Sequence, residues 1–339
     1  MPQETLPGTL GEQRAASTAD GGTALTTTAA FIRLPLVTSH ISVVGRNFST
    51  AVVAKFHLNP WLTILKTTDA MVTAPTDYSN AGQNLSAAAA GVVLSSLGTL
   101  AQGDFLLVGG HAPFRGVLVD VNATNAGANS TLTVDYIQSV AITACATSDA
   151  GTKTIITATT AVADNDTVFI TGTTHYNGTW VVEQVVASTS FVIATPFMTN
   201  DATGTVQCWK TTSATDGTSA ASKTFAQDGN VTWTVPTDWA TIKLTEMYNT
   251  VTARTPMRVS LYWTRWSVSV VLDSSVTLDR MLAMNRNTAN YAELITGQSF
   301  EQKIRHGEPG GVGCIEALVD AGTANLVVNA FAQRDSSFV

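Results

Sequence analysis

The chain has 339 residues and is 45% hydrophobic but only 13% charged, where an ordinary soluble domain carries about 25% charged residues. Its formal net charge of -7 and the lack of any basic block argue against a nucleic-acid partner, and no apolar run approaches the ~20 residues of a membrane-crossing helix. The length suffices for two or three domains with cores of their own, and the Ala, Thr, Val, Ser and Gly that stand in for charge form a β-rich palette on a surface suited to lying against neighbours.

Residues 1–30, which begin MPQETLPGTLGEQRAASTADGG, hold few large apolar side chains. They are expected to form a flexible arm that orders against a partner. The same start has neither a basic n-region nor an apolar h-region, so synthesis and use in the cytoplasm is the expectation. From Phe31 onward HISVVGR, FSTAVVAKFHL and WLTILKTT read as short β-branched strands. DYSNAGQN is a polar loop, and AAAAGVVLSSLG fits helix and strand alike. GDFLLVGG and FRGVLVDVN are two strands joined by Gly109-Gly110-His111-Ala112-Pro113. NATNAGANS is a turn, and STLTVDY is another strand.

Residues 139–208 have a texture of their own. AITACATS, TKTIITATT, DTVFITGT, NGTWVVEQVVAS, SFVIATPF and TGTVQCW have the spacing of strands in a small β-sandwich or barrel. Tyr176-Asn177-Gly178 fits a tight hairpin turn. Beyond this segment, Asp228-Gly229 reads as a turn, and Val231, Trp233 and Val235 alternate as in a half-buried strand. Pro236 ends that strand, having no N–H to give a ladder. RVSLYWTRWSVSVVLD is one long strand or a bent pair, and SSVTLDRMLAMNRNTANYAELI is where helical turns are expected. FEQKIRHG, CIEALVDAG and TANLVVNAFAQ close the chain as strands separated by Gly turns.

No chemistry-bearing constellation stands out. Cys145, Cys208 and Cys314 have no CxxC spacing, so a zinc site is not expected. Cys145 and Cys208 flank the 139–208 segment; buried free thiols are the expected state and a cross-strand pair the alternative. His40, His57, His111, His175 and His306 make no HxH or HExxH spacing. There is no GxSxG and no phosphate-binding glycine loop, and Gly307–Gly311 is turn chemistry. Asp104, Asp120, Asp135, Glu183, Glu246 and Glu316 stand singly on or beside strands and are expected to be solvated or strand-end carboxylates. A glycosidase pair among them is the rival reading. Asn-x-Ser/Thr triplets such as Asn47-Phe48-Ser49 and Asn177-Gly178-Thr179 arise by chance in a Thr-rich chain. No catalytic, cofactor-binding or metal-binding residue is assigned, and the chain is not expected to be an enzyme.

The runs GDFLLVGGHAPFRGVLVDVN, STLTVDY, DGTSAASKTFAQDGNVTWTVPTDW and LYWTRWSVSV together resemble a pattern in structural proteins of tailed-phage virions. In that pattern a glycine-rich strand pair leads to a strand ending in Tyr-Trp, then to a DGT turn, a G-x-V-x-W-x-x-P-x-x-W strand and a second Tyr-Trp strand. Here the first Tyr-Trp is split between Tyr136 and Trp209, and the segment between them is similar to small all-β modules of phage virion proteins. The resemblance implies an all-β fold of β-sandwich or jelly-roll-like modules with a small inserted β-domain. Its parts are a flexible arm (1–30), a discontinuous β-sandwich (31–138 and 209–272), the inserted module (139–208) and a C-terminal β segment packed on the body (273–339). Trp233 and Trp239 are expected to close the sandwich, with Trp263 and Trp266 near them; a sugar platform at Trp239 is the rival use.

The function implied is that of a capsid decoration or cement protein. It would act in the virion as a homo-oligomer, a trimer, bound to the major capsid protein or other virion proteins, with no cofactor, nucleic acid or membrane. The alternatives are a tail or baseplate protein that binds a host surface, and a carbohydrate-active enzyme on a β scaffold. The contact surfaces expected are the arm before Phe31 and the turns His175–Thr179 and Thr199–Thr203.

Overall fold

The computed structural model describes residues 10–15, 22–34, 38–49, 52–83, 91–187, 189–248, 252–285, 292–295, 298–304 and 311–333. Among them the chain opens with β1 (Leu10–Ala15), β2 (Thr23–Leu25), β3 (Ala30–Arg33), β4 (Thr38–Arg46) and β5 (Ala54–Pro60). Next come β6 (Leu62–Thr68), β7 (Thr76–Asp77), β8 (Val92–Val93), β9 (Asp104–Gly110), β10 (Phe114–Ala123) and β11 (Leu132–Ala141). Six strands follow: β12 (Ala144–Ser148), β13 (Lys153–Thr157), β14 (Thr167–Thr171), β15 (Gly178–Ala187), β16 (Ser190–Ile193) and β17 (Thr205–Thr212). Then come β18 (Ala214–Asp216), β19 (Gly229–Trp233), β20 (Thr241–Ile242), the four-residue helix α1 (Leu244–Met247), β21 (Leu261–Val268) and β22 (Thr277–Asn285). The last strands are β23 (Ala292–Leu294), β24 (Ser299–Lys303), β25 (Val312–Val319) and β26 (Ala324–Gln333). The fold is all-β.

Four antiparallel sheets result among the described residues. Sheet 1 runs β1-β26-β4-β24, with β2 also on β26; sheet 2 runs β23-β5-β25-β3. Sheet 3 runs β18-β19-β10-β22-β8. Sheet 4 is the longest, β12-β13-β16-β15-β14-β17-β11-β21-β9-β6-β7, with β20 on β21. Strand alternation explains how they stack. Ile41, Val43, Leu326 and Val328 of sheet 1 meet Ile32, Phe56, Ile315 and Ala317 of sheet 2 in one apolar core. Phe114, Val117, Val231 and Met281 of sheet 3 meet Leu62, Ile64, Leu106 and Trp266 of sheet 4 in a second. The opposite face of sheet 4 is covered by Ile242, Leu244, Met247 and Met257 around Trp263. Residues 142–208 enclose a core of their own, with Ile156, Ile170, Tyr176, Phe191 and Val206 at its centre.

This arrangement redraws several sequence expectations. The sandwich expected to begin at residue 31 begins instead at Trp61, because β3, β4 and β5 pair with β25, β26, β24 and β23 from the far end of the chain. One sandwich is thus set into another, and the 142–208 module into the inner one. The segment from 273 onward is not a unit packed on the body: β22 is an inner strand of sheet 3, and β23 to β26 help build the outer sandwich. Part of the expected arm is also strand. Leu10–Ala15 and Thr23–Leu25 extend the edge of β26, because its N–H and C=O groups there await a ladder. Residues 1–9 and 16–21 lie outside the described residues.

Helical turns were expected between Ser274 and Ile295. The structure has β22 there instead, paired with β10 along its length, and residues 286–291 lie outside the described residues. GDFLLVGG and FRGVLVDVN are strands, but the link His111-Ala112-Pro113 carries the chain from sheet 4 to sheet 3 and the two do not pair. Glycine is required at Gly109, where a Cβ would stand 2.6 Å from the Trp263 ring.

Candidate interaction surfaces

The inserted module brings together the two turns expected to make contacts. β14 and β15 form a hairpin, yet their connection is the six-residue loop Gly172–Asn177 and not a two-residue turn at Asn177-Gly178. Side chains hold the loop's shape. The Asn177 carbonyl oxygen accepts from the Thr173 N–H and hydroxyl, both at 2.9 Å, and its amide donates to Thr173 O at 2.6 Å. Tyr176 turns inward and is fully buried. Its hydroxyl donates to Thr199 O at 2.7 Å and accepts from the N–H groups of Met198 and Thr199. Asp201 fastens the second loop to the first by accepting from Thr174 N–H at 2.5 Å. The Thr203 hydroxyl, 2.6 Å from Asp201 Oδ1, and the Thr174 N–H hold the Asp201 carboxyl below the ordinary carboxylate range. His175 Nδ1 lies 3.8 Å from Asp201 Oδ2. The two loops therefore form one hydrogen-bonded surface, on which His175 and Asn177 are exposed. Met198, at 66% exposure, stands beside them. Val181 and Val186 are also exposed on β15.

A cleft of about 190 Å³ lies where this module meets the inner sandwich, lined by Asn165, Asp166, Thr167, Trp209, Tyr248, Phe105 and Arg265. Arg265 is committed to the fold. Its Nε and Nη2 donate to Asp135 Oδ2 at 3.0 and 2.8 Å, and its guanidinium lies 4.7 Å from the Trp209 ring centre. The Trp209 indole N–H donates to the Tyr248 hydroxyl at 3.0 Å. Ion pair, stack and hydrogen bond together tie β11, β17 and β21 to the segment after α1. Sequence reading missed this pair. Its only signal was a charge at an inward phase of an apolar strand.

The four tryptophans divide between two cores. Trp239 is 7% exposed and meets Phe114, Tyr136, Trp233 and Tyr262 in tilted or edge-on contacts, so it is too enclosed to offer a face to a sugar ring. Trp266 meets Trp233 edge-on at 90°. Trp263, three residues before Trp266, projects from the opposite face of sheet 4 and its indole donates to Ile242 O. The expectation that all four cluster is corrected on that point by strand alternation.

Asp135 and Glu316 are buried and paired with Arg265 and Arg115, not solvated. Asp120 pairs with Arg280, Glu183 with Lys153 and Glu246 with Lys243. Asp104, partly buried, opens β9. Of the histidines, His40 packs on Phe331, His57 lies on β5, His111 is exposed in the β9–β10 link, and His306 lies outside the described residues, as do Gly307–Gly310. Cys145, Cys208 and Cys314 are buried free thiols, and burial pushes Cys208 and Cys314 up to about 12. Among the described residues no three His, Cys, Asp or Glu side chains converge as metal ligands, and no helix is long and apolar enough to cross a membrane. Compared with known proteins, the chain matches no family, no curated protein and no solved structure.

Proposed function

We propose that the chain is a structural component of a tailed-phage virion. It acts as a capsid decoration or cement protein, assembles as a homotrimer and works through protein–protein contacts without turnover. One observation carries this reading: a self-contained β-module with its own core is set into a loop of the inner sandwich and presents a locked pair of loops with Met198 exposed. A rigid platform of that kind makes contacts at small entropic cost. The charge-poor composition and the aromatic pattern read from the sequence support the same conclusion. In this reading each copy bridges adjacent capsomers, and many weak contacts on one particle add up to a strong hold.

The test is immunogold labelling of purified particles with an antibody to residues 172–178 and 196–203. Gold over the heads is the expected result. Gold confined to tails would transfer the function to a host-surface-binding tail protein. Particles that contain no copy of the chain by mass spectrometry would end the virion reading altogether. Light scattering of the purified chain is expected to give the mass of three copies.

A further inference from the structure

The layer between sheets 2 and 3 has a composition unlike the cores on either side. Arg33, Cys314 and Glu316 project from sheet 2 on the face away from Ile32, Ile315 and Ala317. Arg115, Asp120 and Arg280 project from sheet 3 on the face away from Val117, Val119 and Met281. Contacts that cross the layer include Arg115 Nη2 with Glu316 Oε1 at 2.5 Å, Asn59 Nδ2 donating to Ala283 O, and Cys314 Sγ donating to the same carbonyl at 3.7 Å; Asn59 Nδ2 also donates to Glu316 Oε2 within sheet 2. Asp120 takes Arg280.

Arg33 is the charge left badly served. It is 8% exposed, and its Nε and Nη2 are buried with no hydrogen-bond partner; the Nε atoms of Arg280 and Arg115 are in the same condition. Buried guanidinium donors are ordinarily matched by an acceptor, because stripping them of water without return is costly. Burial first, and then the Arg280 charge, pull the Arg33 guanidinium down to about 10, against the opposing pull of Asp120 and Asp279. Burial also raises the Asp120 carboxyl above its ordinary range despite Arg280. Arg115 and Arg280 are 19% and 28% exposed, so the layer meets solvent along that rim.

We propose that this layer is an anion site, in which Arg33 and Arg280 hold a small tetrahedral oxyanion such as inorganic phosphate or sulfate between the two sandwiches. The guanidinium fork matches two oxygens of such an ion, and the Nε and Nη2 of Arg33 are the pair that makes this fit. Bound there, the ion joins an outer-sandwich strand to an inner-sandwich strand and stabilises their union by mass action.

The experiment follows unfolding of the full chain in phosphate, in sulfate and in chloride at constant ionic strength, with equilibrium dialysis of labelled phosphate. At a phosphate concentration ten times its Kd the equilibrium constant of the transition that parts the two sandwiches is expected to fall about tenfold, with one ion bound per chain and no such effect of chloride. Arg33→Met should abolish both responses, and Arg33→Lys, which keeps charge but not the fork, should weaken binding at least tenfold. An unmodified chain that binds no phosphate, or an Arg33→Met chain that responds as the unmodified one does, overturns the proposal. If Arg33→Met fails to fold, Arg33→Lys decides: undiminished binding overturns the site and weakened binding supports it.

Discussion

Individual side chains set the energetics most sharply where they are large and fully enclosed. Trp266 is 0% exposed in the core of the inner sandwich, and its N–H is satisfied by the Thr264 hydroxyl at 2.9 Å. Trp266→Ala removes both packing and volume and should cost about 3–5 kcal/mol, read as a lower urea midpoint at unchanged m-value. Asp201 acts through protonation. Its folded pKa is depressed by the Thr203 hydroxyl first and the Thr174 N–H next. The stability it confers is therefore complete above the unfolded carboxyl value of about 3.9 and is lost as pH falls through the folded value. Thermal melts below about pH 4 should show the module weakening, and Asp201→Asn should flatten that limb. Asp120 has the opposite sign. Its raised folded value makes ionisation a cost at neutral pH, and the cost disappears on acidification.

Elements were legible wherever one strand face is buried and the other wet. β19 is the plain case: Val231 and Trp233 point inward with Thr232 between them, as alternation requires. β22 shows why the rule fails. Leu278, Met281 and Leu282 have helical spacing, yet both faces of this strand are covered. Leu278, Met281 and Ala283 enter the inner core, and Leu282 and Met284 are buried on the opposite side. Apolar residues on both faces erase the period of two, and what remains imitates a helix. β21 is buried on both faces for the same reason. The inserted module belongs to this scale as well. β11 and β17 run as one antiparallel ladder from Val134↔Thr212 to Ala141↔Thr205. Replacing residues 142–204 with Asn-Gly should therefore convert them into a plain hairpin and leave both sandwiches folded. Retained near-ultraviolet dichroism and a cooperative melt are the expected readouts. Loss of both would mean that the contact of Thr179 with the Glu246 carbonyl, or others like it, is essential to the body.

At the scale of the molecule, two apolar cores are separated by a polar layer. Ladders such as β4 with β26 and β3 with β25 join the two ends of the chain, and closing loops of that length makes folding slow. The outer and inner sandwiches meet through ion pairs and hydrogen bonds, with Leu282 and Met284 the buried apolar side chains of β22 on that face. Calorimetry should accordingly show two transitions, with a calorimetric enthalpy above the van't Hoff value. Glu316→Gln strips the half-buried Arg115 of its counter-charge, a loss of about 1.5–3 kcal/mol, and should move the transition of the outer sandwich. One transition with matching enthalpies would mean that the layer couples the sandwiches fully.

Composition and alternation were enough to establish an all-β chain, the positions of most strands, the burial of Trp233, and the separate texture of residues 139–208. These are local properties: a side chain's phase in its own strand is written within a few residues. Partner choice is not local. That β3 and β5 pair with β25, that Trp263 and Trp266 serve different cores, and that Arg33, Arg280 and Glu316 share one layer were decided only by tertiary structure. Each depends on which sheet closes over which, and that is settled by the summed burial of residues hundreds of positions apart.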